Sequence, residues 1–217
     1  EGLTVMARRQ RDFVIGRLNE EEQKAAAILA NRWNWHSRSA VTAHQSGLTD
    51  DYELRYPRAF EKPLKNAAKR HDISLSWLSG PMRSESLFMH DIRSPAGALG
   101  LMQVMPRTGR QTAKELNLKW RGTRTLTNPS TNIRIGSYYL AKQLNRFGHP
   151  ALATAAYNAG PHRVKQWMPD KAMPLDVWVA SIPFTETRNY VQRVLTAQVI
   201  YEWRYNGTIT RLDEVAA

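Results

Sequence analysis

A chain of 217 residues with 42% hydrophobic content is long enough for one or two domains around a sizeable core, which excludes disorder as a whole-chain reading. Its 31 basic and 19 acidic residues give a net charge of +12, favouring an anionic partner such as nucleic acid, an acidic membrane surface or an anionic cell-wall polymer. The lack of cysteine excludes a disulfide framework, a thiolate metal site and a thiol nucleophile, and no apolar run approaches the roughly 20 residues that span a bilayer.

The first residues, EGLTVMARRQRDF, hold no apolar signal-peptide region, so an export signal is expected to have been removed or to lie outside this sequence. Residues 3 to 18 and 20 to 35 carry apolar side chains at three- and four-residue spacing and predict two helices, with Asn19 and Glu22 forming a reciprocal N-cap. The polar stretch 36 to 56 has room for a shorter helix and ends at Tyr56-Pro57, a candidate boundary. Beyond it, Pro63, Pro106, Pro129, Pro161 and Pro183 mark helix starts, while Gly148, Gly160 and Gly207 mark stops. A short strand is conceivable only near Gly97 to Val104, so the chain is expected to be all-α. The longest periodic piece, 185 to 205, places Tyr190, Val191, Val194, Leu195, Gln198, Val199 and Trp203 on one stripe and reads as a core helix.

Several chemistries lack their residues. The histidines at 36, 44, 71, 90, 149 and 162 form no helical ligand pair, and neither a phosphate-binding P-loop nor a serine nucleophile elbow occurs. Four unusual segments remain: RSESLF (83 to 88), SPAGALGLMQVMP (94 to 106), AAYNAGP (155 to 161) and PFTETRNYV (183 to 191). Gly97 and Gly100 suggest either a packed turn or a close approach of backbone to a ligand. Glu85, beside Leu87, Phe88 and Met89, is either a solvated surface group or a carboxyl against an apolar wall, where desolvation keeps it protonated near neutrality.

Taken in order, E-S, S-P-A-G-A-L-G-L-M-Q-V-M-P, A-Y-N-A-G-P and T-E-T-R-N-Y-V closely resemble the catalytic domain of the soluble lytic transglycosylases of bacterial peptidoglycan, a lysozyme-like fold. The resemblance spans about residues 57 to 205. It implies a catalytic domain over residues 57–217, preceded by a helical linker segment, 1–56, that ends a longer superhelical region. It implies that Glu85 alone protonates the bond between N-acetylmuramic acid and N-acetylglucosamine, then serves as base for the C6 hydroxyl of the same muramyl residue, leaving a 1,6-anhydro end. Carried over by position, Ser86, Ser94, Gln103, Met105, Tyr157, Asn158, Glu186 and Tyr190 line the substrate groove. Tyr190 and Asn158 would position the substrate's N-acetyl group. Asp91 reads as a turn residue.

The implied partner is the peptidoglycan glycan strand, in the periplasm, with no cofactor, metal, nucleic acid or transmembrane segment; protein partners are not legible. The alternatives are a lysozyme-type hydrolase of the same bond or a catalytically impaired wall-binding module. Departures from the family pattern are Ser84 where glutamine is more common, His162 where glycine often follows, and Gly80-Pro81. Pro81 either kinks a helix one turn before Glu85, at a cost of about 3 kcal/mol or more, or opens a new helix capped by Ser79 or Gly80.

Overall fold

The computed structural model describes residues 2–169, 171 and 173–211, with side chains from Val5 onward. The chain divides into two compact units, Glu1–Ala59 and Phe60–Ala217.

The first unit holds α1 (Gly2–Ile15), α2 (Glu20–Arg32), α3 (His36–Gln45) and the single turn α4 (Tyr52–Arg55). The reciprocal cap expected at Asn19 is present: its Oδ1 accepts from Glu22 N at 3.0 Å, and Glu22 Oε2 accepts from Asn19 N at 2.9 Å. The core of this unit is small, built on Ala27, Ala43 and Leu54 with Leu48 against them. Arg11 adds a bond to Thr42 Oγ1 at 3.0 Å, and Arg38 meets Asp12 at 3.1 Å.

The second unit contains α5 (Glu61–His71), α6 (Leu75–Ser86), α7 (Pro106–Glu115), a 3-10 turn at Arg124–Leu126, α8 (Pro129–Phe147), α9 (Pro150–Ala159), α10 (Pro161–Trp167), α11 (Leu175–Ser181) and α12 (Thr185–Asn206). Pro106, Pro129, Pro150 and Pro161 each open a helix, where the missing N–H would have no intrahelical partner anyway. Gly148 and Gly207 end α8 and α12 in the left-handed conformation. The fold is all-α: among the described residues the only β pairing is isolated bridges, including Arg93 with Leu99 and Leu99 with Val104. The short strand conceived near Gly97 to Val104 is therefore absent, because the turn at Gly97 and Gly100 folds this segment back within a few residues.

Helix α6 is the axis of this unit. It runs along α12 and is joined to α9 by a buried bond from Trp77 Nε1 to Thr154 Oγ1 at 3.0 Å. Where α6 meets α12, a Cβ on Gly80 would lie 2.9 Å from the Val194 carbonyl oxygen, so only glycine allows this approach. Of the two alternatives for Pro81 the structure takes the interior position, and no new helix opens there. The helix is capped by Ser74, whose Oγ accepts from Trp77 N at 3.2 Å, and continues through Pro81 to Ser86. Beneath α9 to α12 lies an apolar cluster of Ala151, Leu152, Ala155, Ala156, Val164, Trp178, Val179, Ile182, Val191 and Leu195. The buried stripe of α12 runs through Tyr190, Val191, Val194 and Leu195 to Tyr201; Trp203, expected in the core, is 44% exposed because it falls on the side of the helix opposite Val194 and Tyr201.

Candidate active site

Glu85 sits in the last turn of α6, half-buried, between helix positions Met82 and Ser86 that face the core. The chain then turns abruptly through two left-handed residues, Leu87 (φ 47°) and Phe88 (φ 66°). Some of the Glu85 side chain reaches solvent, but its carboxyl lies deep enough for burial to dominate and push its pKa from an ordinary 4.5 up to about 7. The Tyr190 hydroxyl and the Arg193 charge pull it back, and the like charge of Glu186 adds to the rise.

Two phenols accompany this carboxyl. Burial, followed by the charge on Glu85, holds both Tyr157 and Tyr190 well above the usual tyrosine range. The buried Tyr190 Oη has no partner at full hydrogen-bond geometry, yet it lies near enough to Glu85 to stabilise its anion. It is a close polar contact to that carboxyl. Tyr157 is a strut: its hydroxyl donates to the Met102 carbonyl at 2.7 Å, while its ring packs 5.6 Å from that of Tyr139.

That strut belongs to a set fixing segment 99 to 104. Buried Asn132 on α8 accepts from Met102 N at 2.8 Å and donates to the carbonyls of Leu99 at 2.9 Å and Leu126 at 2.8 Å. Ser86 Oγ lies 2.8 Å from the Leu101 carbonyl and 3.2 Å from that of Met82. A Cβ on Gly100 (φ 76°) would stand 2.3 Å from the Leu126 carbonyl oxygen and 2.4 Å from Asn132 Nδ2. The close approach inferred from the glycines is thus made to this chain's own backbone and amide. Backbone polar groups that a regular element would pair with one another are here paired from three helices.

The other expected groove residues take distinct places. Ser86 is buried, with its hydroxyl committed to carbonyls, so it is not offered at a surface. Ser94 closes a turn, its Oγ accepting from Ala98 N at 3.0 Å. Gln103 (φ 44°) donates through Nε2 to Gly100 O at 2.8 Å and Ile92 O at 3.3 Å. Met105 stands 44% exposed just before α7. Asn158 accepts at Oδ1 from Thr187 Oγ1 at 2.7 Å, and Glu186 is exposed in the first turn of α12. Tyr157, Tyr190 and Glu186 each come within electrostatic reach of Glu85. Sequence reasoning missed Asn132, Thr187 and Arg193. Thr187 carries a visible signal, lying three residues before Tyr190 on the same buried stripe; Asn132 and Arg193 carry none.

Residues 62–174 match the model of the transglycosylase SLT domain family, and the chain belongs to it. Residues 2–51 match the soluble lytic murein transglycosylase L domain, and 181–208, which include α12, match the soluble lytic transglycosylase helical domain. The chain is 38% identical over 187 residues to a soluble lytic murein transglycosylase of Salmonella typhimurium, covering 84% of this chain and 29% of that protein. Among solved structures it superposes on an inactive glutamate-to-glutamine variant of the lytic transglycosylase Slt of Pseudomonas aeruginosa with a TM-score of 0.90, at 38% identity over 98% of this chain and 35% of that one. A complex of a 70-kDa soluble lytic transglycosylase with bulgecin A matches with the same TM-score, at 32% identity, covering 98% of this chain and 35% of that one. The chain thus spans about a third of the length of these relatives.

Proposed function

We propose that this chain cleaves peptidoglycan as a lytic transglycosylase, with Glu85 as its single acid and base. The observation that carries this reading is a carboxyl whose pKa stands at about 7 through burial, which leaves a large protonated fraction at neutral pH. Glu85 transfers its proton to the oxygen linking N-acetylmuramic acid to N-acetylglucosamine, and the C1–O bond breaks. Positive charge developing at C1 is met by the substrate's own N-acetyl oxygen, with Tyr190 and Asn158 holding that group. The C6 hydroxyl of the same sugar then bonds to C1 and returns its proton to Glu85. No water enters, and the tethered hydroxyl acts at an effective concentration that a separate nucleophile does not reach.

Ser94, Gln103, Met105 and Glu186 contribute groove surface in this reading, whereas Ser86 and Tyr157 hold the loop that shapes it. In this reading the first unit, which includes exposed Met6, Phe13 and Trp33, is a helical linker segment, supported by its match to the L domain. The substrate places the enzyme in the periplasm; among the described residues no helix is long and apolar enough to cross a membrane.

A hydrolytic reading is kept because Glu186 is a second carboxylate within electrostatic reach of Glu85 and so is a candidate to activate water. Mass spectrometry of digested peptidoglycan decides between the two. Muropeptides one water lighter than hydrolytic products are expected, and Glu85→Gln should lower their yield about 100- to 10,000-fold while keeping the fold. Reducing ends would establish the hydrolase. Near-normal turnover by Glu85→Gln would remove Glu85 from its role.

A further inference from the structure

Helices α5 and α8 pack together and bring their basic side chains to one place. Lys62, Asn66 and Arg70 recur every fourth residue along α5, and Ser130 and Arg134 stand four apart at the start of α8, so each set shares one helix face. These residues line a cavity of about 330 Å³.

Nothing in the lining neutralises this charge. No acidic residue contributes to it, and among the described residues Lys62, Arg70 and Arg134 form no ion pair with a carboxylate. The acid on the same helix, Glu61, meets Lys65 at 2.5 Å. Both guanidinium groups reach His71, whose pKa is held below its ordinary value by burial first and then by these two charges. Arg134 Nε and His71 Nε2 are buried, and among the described residues neither has a hydrogen-bond partner. Buried polar atoms left so are uncommon in folded proteins, and a bound ion is one of the few arrangements that accounts for them.

We infer that this cavity is a binding site for a phosphate group, and that it is distinct from the candidate active site, with which it shares no lining residue. Three cations from two helices, with an amide and a hydroxyl beside them, suit an anion with several oxygens and more than one charge. Guanidinium groups grip phosphate in two-point geometry, whereas a single carboxylate has too few oxygens and too little charge to engage all three cations. The volume is that of a small ligand pocket, so the phosphate can be free or esterified.

The test is titration of the whole chain with inorganic phosphate, against chloride at equal ionic strength, followed by NMR of the His71 ring. His71→Gln identifies that signal among the six histidines. Phosphate should shift it saturably, and at about tenfold excess over half-saturation it should raise the melting temperature by about 3 °C. Lys62→Gln with Arg70→Gln, both at exposed positions, should weaken binding at least about tenfold with the melting temperature of the phosphate-free protein unchanged. Vesicles of phosphatidylglycerol, with phosphatidylcholine as control, then separate the sources. Vesicles that displace phosphate from the parent chain but do not bind the double variant make a lipid headgroup the ligand; phosphate binding that vesicles leave intact makes it a small soluble phosphate. A response to phosphate no larger than to chloride, or one that survives the double change, overturns the inference.

Discussion

Helix α6 and segment 99 to 104 come together through Ser86, but they are fixed by opposite means. Helix α6 is held by apolar contact so close that Gly80 meets the α12 backbone at Val194. The segment has no regular structure and is held by polar bonds from Ser86, Asn132 and Tyr157. Position can therefore be specified as firmly by a complete set of hydrogen bonds as by helix packing. The two modes fail differently: a lost methyl can be filled by relaxation, whereas a lost buried partner leaves groups with nowhere to turn.

Asn132→Ala strikes the polar side hardest. It strands one N–H and two carbonyls, so destabilisation on the order of 3–5 kcal/mol is expected, visible as a melting temperature lower by about 10 °C. A melting curve close to the wild type would mean that the segment is held by something else.

Glu85→Gln sharpens the contrast on the helix side, through pH. A carboxyl with a folded pKa of about 7 against an unfolded value near 4.5 binds more protons folded than unfolded between these limits. Its contribution to stability is thus fully present below the unfolded value and is lost as pH rises towards 7. The glutamine variant should lack this decline and be more stable than the parent at pH 8, by at most about 3 kcal/mol. Denaturant midpoints at pH 4.5 and 8 measure it; an equal pH slope in both proteins would place the carboxyl in ordinary solvent.

Gly80→Ala tests the apolar contact and should cost about 1–3 kcal/mol, since the added carbon meets backbone oxygen and only a helix shift relieves it. Tyr190→Phe is expected to have the smallest effect. Removing a hydroxyl that favours the Glu85 anion should raise the alkaline limb of the cleavage profile by about half a pH unit, with little change in melting. A fall of that limb would mean that Tyr190 stabilises the protonated acid.

Much of the helical plan was legible because its signals are local. The Asn19–Glu22 box, the prolines at positions 106, 129 and 161, and the glycines ending α8 and α12 all act within one turn. The four motifs name candidate site residues, but not what each side chain does in the fold. Ser86 and Tyr157 turn inward to carbonyls remote in sequence, and Asn132 joins partners up to 33 residues away without any pattern of its own. Pro81 was ambiguous because a helix interior tolerates proline only where tertiary packing overrides its local cost, and that packing comes from α12, more than 100 residues later.

The place of Glu85 along α6 has one more consequence. Peptide dipoles leave partial negative charge at a helix's carboxyl end, where an anionic side chain is disfavoured, and partial positive charge at its amino end. Glu85 occupies the final turn of α6 and Glu186 the first turn of α12. The two carboxyl groups within reach of one another stand at opposite poles of their helices. Chain direction itself thus adds to what disfavours a charge on Glu85.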